Sequence, residues 1–156
     1  MRVKEQPDEV YGYYLLGREY GNLHKFDEAV ENFEICLNLP NIKKFPLVRY
    51  CVLGYMGDIC CIKGNLAKAT WYYNEQLFID NTYREPYYNL ANIYNAKGQF
   101  DFAFTIMKKG LENSHQHYDW TERSVCWREG PFDILSIACY NLGKIDLGIE
   151  YAVKAL

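Results

Sequence analysis

The sequence predicts an all-α fold, an α-solenoid of about four helix-turn-helix repeats. Three observations predict it. Apolar residues recur at three- and four-residue spacing, which gathers them on one face of a helix. Each apolar run is broken once by a short polar stretch and then resumes, and connections of four or five residues favour antiparallel helix pairs. The whole pattern returns four times within 156 residues.

The first repeat, about residues 10–40, carries Tyr13, Leu16, Gly17 and Tyr20, then Ala29 and Phe33, and closes at Pro40. An insertion, "PNIKKFP" (40–46), follows. The second repeat, about 47–80, carries Met56, Gly57 and Cys60, a turn at Gly64, then Ala69 and Tyr73. The third, about 84–113, places Tyr87, Leu90, Ala91 and Tyr94 on one face. "AKGQF" breaks it, and Phe100, Ala103, Phe104 and Met107 resume it. Gly98 sits where a left-handed residue closes a helix at least steric cost. A second insertion, "SHQHYDWTERSVCWREG" (114–130), precedes the fourth repeat, about 131–156. That repeat has Phe132, Leu135, Ser136, Cys139, Gly143, Gly148 and Ala152.

Two helices approach to about 8–10 Å only where the side chains between them are short. The small residues that meet this need are Ala29, Ala69, Ala103 and Gly148, at intervals of 40, 34 and 45. The surplus over 34 falls in the two insertions. The chain is therefore expected to form a single domain, 1–156.

Hydrophobic residues make up 49% and charged residues 24%, a globular balance that disfavours disorder. Aromatics reach 17%, with 15 Tyr, and the net charge is −3. Adjacent lysines occur only at Lys43-Lys44 and Lys108-Lys109, too sparse for a nucleic-acid surface. No apolar run approaches the length that spans a bilayer, and no basic-then-apolar segment opens the chain. The six cysteines show neither a CxxC pair nor a zinc spacing. They read as reduced core thiols, and a cytoplasmic location is expected.

Catalytic chemistry finds no constellation. His24, His115 and His117 lack a neighbouring nucleophile motif, and there is no GxSxG, glycine-rich phosphate loop or HExxH. "HQHYD" sets His115, His117 and Asp119 at alternate positions with Cys126 further on, a set that could face a transition metal. Without a diagnostic fourth spacing it reads instead as a polar inter-repeat loop, so neither metal nor cofactor is expected. Trp120 and Trp127 are expected to cover the gap that the insertion leaves between the third and fourth hairpins.

The repeats resemble tetratricopeptide repeats, whose period of about 34 residues follows W-x2-L-G-x2-Y…A-x3-F…P. The resemblance covers nearly the whole chain and implies a right-handed superhelix whose first helices line a concave groove. The inward positions in that register are Tyr11, Tyr14, Arg18, Tyr55 and Asp58. They continue through Tyr88, Asn89, Asn92, Asn95, Asp133, Tyr140 and Asn141. Tyrosine and asparagine offer flat apolar faces with donors and acceptors, which suits a protein or peptide partner or a glycan acceptor. Relatives that grip acidic chaperone tails use cations at these positions. Here Tyr14, Glu85 and Asn89 occupy those places and only Arg18 is basic.

Three segments are similar, in order, to the repeat region following the catalytic domain of bacterial family 2 glycosyltransferases. They are "YYLLGREYGNLHKFDEAVENFEICLNL", "YREPYYNLANIYNAKGQFDFAF" and "PFDILSIACYNLGKIDLGIEYAVKAL". That resemblance implies a non-catalytic accessory domain positioning an acceptor, a partner or a second subunit. A free-standing adaptor for a peptide or protein is the alternative. The apolar "YAVKAL" lacks a polar capping helix after it, so self-association through the C-terminal helix, or a further helix in the natural protein, is expected.

Overall fold

The computed structural model describes residues 7–113 and 123–156. Its regular elements are helical. They are α1 (Pro7–Asn22), α2 (Phe26–Asn38), α3 (Pro46–Ile62), α4 (Leu66–Ile79), α5 (Glu85–Ala96), α6 (Phe100–Leu111), α7 (Gly130–Asn141) and α8 (Ile145–Lys154). Short 3-10 turns lie at Ile42–Lys44 and Ser124–Trp127, inside the two insertions. The all-α class and the four hairpins follow the sequence pattern. The helices form two compact units divided between Ile79 and Asp80, each built from two hairpins.

Every hairpin turns in the same way. His24, Gly64, Gly98 and Gly143 take φ values of 57°, 75°, 70° and 72°. The following N–H reaches back to the helix in each case, with Lys25 donating to Tyr20, Asn65 to Cys60, Gln99 to Tyr94 and Lys144 to Cys139 at 2.8–2.9 Å. These bonds satisfy carbonyls that the helix end would otherwise leave open. Glycine is the least strained residue for this turn. The first hairpin uses His24 instead, its ring edge-on to Phe26 at 5.7 Å.

Five residues after each left-handed turn stands the small crossing residue. Ala29, Ala69 and Ala103 are fully buried, and Gly148 is buried. The facing helix is small too. A Cβ on Gly17 would lie 2.5 Å from the Phe33 ring, and one on Gly57 would lie 2.5 Å from the Tyr73 ring. The aromatic nine residues past the turn therefore packs onto the bare backbone of the first helix.

In the first unit, Tyr55 of α3 stacks on Phe33 at 5.5 Å and leans on Tyr14 at 6.4 Å. Gln76 donates to the Tyr50 carbonyl at 3.0 Å, so its buried amide nitrogen is satisfied. The 40–46 insertion buries Ile42 and sets Phe45 edge-on to Tyr11. The second unit centres on Tyr87, Leu90, Met107, Leu135 and Cys139.

Ala103→Leu is expected to overpack its crossing at about 1–3 kcal/mol. Gly98→Ala should cost about 1–2 kcal/mol by placing a Cβ in a left-handed turn. Urea unfolding monitored by helical circular dichroism measures both. Midpoints equal to the parent's would show that the hairpin register is misplaced.

Candidate functional site

The first helices carry the expected groove residues, and their side chains have divergent fates. Tyr14 does not line an open surface: it is 2% exposed in the core of the first unit. Burial pushes its phenol well above the ordinary range. The physical reason is its neighbour Tyr55, which fills the space on that side of α1 and is itself half-buried. Asp58 accepts a 2.7 Å hydrogen bond from the buried Tyr73 hydroxyl. Arg18 pairs with Glu19 at 2.8 Å, and Tyr11 is exposed.

In the second unit, Tyr88 is half-buried against Gly130, where an added Cβ would come within 2.7 Å of its ring. Asn89 accepts from Arg123 at 2.5 Å, and Glu85 forms an ion pair with the same guanidinium. Asn95 donates to the Ile134 carbonyl at 3.1 Å, tying α5 to α7. Asn92 is exposed and donates to the Tyr88 carbonyl of its own helix at 3.2 Å. Asp133, Tyr140 and Asn141 are exposed on α7.

A buried arginine stood outside the sequence expectations. Arg84, just before α5, is 8% exposed. It donates to the carbonyls of Asn113 and Cys126, the two feet of the second insertion. Its guanidinium lies 3.6 Å over the Trp127 ring. A buried guanidinium needs groups that replace water, and here carbonyls and an aromatic face do so. The Arg84-Glu85-Pro86 run thus closes the insertion and opens α5, with Pro86 in its first turn. Trp127 lies against Arg84, in keeping with a covering role. His115, His117, Asp119 and Trp120 lie outside the described residues. Cys126 is fully buried, and the described residues gather no set of three metal-ligating side chains.

The open feature is in the last hairpin. Nine residues past the turn, where Phe33, Tyr73 and Met107 fill the other hairpins, the fourth has Ala152. Its facing position on α7 is Ser136. The missing bulk leaves a depression of about 320 Å³, walled by Ile137, Tyr140 and Asn141 of α7 and by Ile145 and Ile149 of α8. Gly148 forms part of its lining, and a Cβ added there would lie 3.4 Å from the Cys139 Cβ. Tyr140 is 72% exposed and Ile149 58%. The lining is chiefly aliphatic, with one phenol, one amide and the Ser136 hydroxyl, which donates to the Asp133 carbonyl. Such a surface takes up apolar side chains and holds no nucleophile-and-base pair. Two of the sequence-predicted site residues, Tyr140 and Asn141, meet here. Ile137, Ile145 and Ile149 were missed, although the exposed i, i+4 pair Ile145 and Ile149 was a readable apolar signal.

Two segments, residues 10–41 and 85–116, match the family model for the tetratricopeptide repeat. They correspond to the α1–α2 and α5–α6 hairpins with short extensions. Among solved structures, that of MamA protein matches with a TM-score of 0.57 and 16% sequence identity, over 97% of this chain and 92% of that chain. The likeness shows the fold. No curated protein matches the sequence. No described helix is long and apolar enough to cross a membrane.

Arg84→Ala is expected to lose about 1.5–3 kcal/mol, the worth of hydrogen bonds from a charged group. Arg84→Lys should not restore it, because an ammonium neither forks to two carbonyls nor stacks on indole. Thermal melts and Trp127 emission report the change. A Lys variant as stable as the parent would contradict the clamp.

Proposed function

We propose that the chain is a non-catalytic protein-interaction module, with the α7–α8 depression as its docking surface. The observation that carries this reading is the exposed apolar lining left by Ala152 in an otherwise well-filled hairpin architecture. Protein surfaces expose large contiguous apolar patches chiefly where a partner covers them. Isoleucines 137, 145 and 149 favour a polypeptide bearing apolar side chains over a glycan. Asn92 and Asn141 each donate within their own helix, to the Tyr88 and Ile137 carbonyls, and their exposed amide oxygens can accept from an extended ligand.

A finer reading makes the module the accessory domain of a glycosyltransferase, positioning an acceptor, a partner or a second subunit. Its support is the similarity of three sequence segments. One of them contains Arg84-Glu85-Pro86, for which closure of the insertion and initiation of α5 already supply a structural reason. The adaptor reading requires only the docking surface.

Site-specific photo-crosslinking in the producing cell tests the proposal. A benzoylphenylalanine at Ile149 should yield one dominant polypeptide adduct, and the same group at the exposed Lys108 of α6 should yield little. Equal, diffuse labelling from both positions would contradict a docking role for the α7–α8 face.

A further inference from the structure

The interaction reading leaves open what covers the α7–α8 face, and the repeat register inside the chain supplies an answer that rests on that reading. The turns of the third and fourth hairpins, Gly98 and Gly143, are 45 residues apart. Shifting by that interval maps Asn95 onto Tyr140, Phe100 onto Ile145 and Phe104 onto Ile149. In the third hairpin this face is occupied. Asn95 bonds to the backbone of α7, Phe104 lies 6.4 Å from the Tyr151 ring of α8, and the Lys144 ammonium sits 4.9 Å from the Phe104 centroid. The occupant there is a helical hairpin. The fourth hairpin presents the corresponding face uncovered by any described residue.

The complementary face is present in the same chain. In α3, which packs on α1 and α2, the stripe Val52, Met56 and Ile59 is buried, with Met56 at 1%. In α7, which packs on α5 and α6, the corresponding stripe Pro131, Leu135 and Ala138 is buried. The same register in α1 gives Gly12, Leu16 and Glu19, and Leu16 is 50% exposed. One hairpin thus exposes the surface that receives a neighbour, and another exposes the stripe that a neighbour buries.

We propose that the α7–α8 face of one copy docks the α1–α2 hairpin of a second copy, head to tail. Such a contact joins different surfaces on the two copies, so it does not end at a dimer but continues into a ring or an open chain.

Light scattering on the purified chain tests this. The mass of the parent should climb past that of a dimer as concentration rises. Leu16→Glu and Ile149→Glu each alter a half-exposed position, so each should keep the parent's helicity and run as a monomer. Mixed in equal amounts they should pair, because the first retains its α7–α8 face and the second its α1 stripe, and they should stop at the dimer mass. A monomeric parent at every concentration, a dimer that survives Leu16→Glu, or a mixture that stays monomeric would each overturn the inference. If the parent is monomeric yet Ile149 still crosslinks to a different polypeptide, the head-to-tail contact is wrong and the interaction module stands. Absence of both removes both.

Discussion

Two antiparallel helices can close to within about 8–10 Å only where neither places bulk between them, and the hairpins of this protein meet that condition at one repeated place. Ala29, Ala69, Ala103 and Gly148 each stand five residues past a left-handed turn. Opposite them, Gly17, Gly57, Ala91 and Ser136 keep the first helix equally bare. With the crossing fixed, the residue nine past the turn lies over the first helix, and its size decides whether the hairpin is filled. Phe33, Tyr73 and Met107 fill three hairpins with side chains at most 2% exposed. Ala152 does not fill the fourth. The candidate docking surface is therefore a local departure from the same rule that builds the fold.

Several polar groups of the first helices serve the scaffold. Asp58 accepts a hydrogen bond from the Tyr73 hydroxyl, Asn95 ties α5 to α7, and Arg123 occupies Glu85 and Asn89. Asp58, Asn89 and Asn95 were groove positions when only type and spacing were known. Satisfying a buried polar atom within the protein removes it from the set that a partner can use.

Much of the architecture was legible because it is local. A 3.6-residue period, small crossing residues and glycine turns all lie within one hairpin, and the intervals between them located both insertions. Side-chain fate was less legible because it depends on contacts distant in sequence. Arg84 finds its acceptors 29 and 42 residues away, and Asn95 finds its own 39 residues away. Tyr14 and Tyr140 share a type and a first-helix setting, yet one is enclosed by Tyr55 and the other stands in solvent. Periodicity identifies a face and leaves open what covers it. His24 in a left-handed turn also lay beyond composition, since the other three hairpins use glycine there.

The proposed docking surface depends on the absence of a large side chain at position 152. Ala152→Met restores the residue found at the same register in the third hairpin. If the claim holds, this variant keeps its helicity, melts no lower than the parent because the added side chain lies in existing space, and loses the association and the crosslinks that pass through Ile149. Full retention of both binding signals in a folded Ala152→Met protein would contradict it.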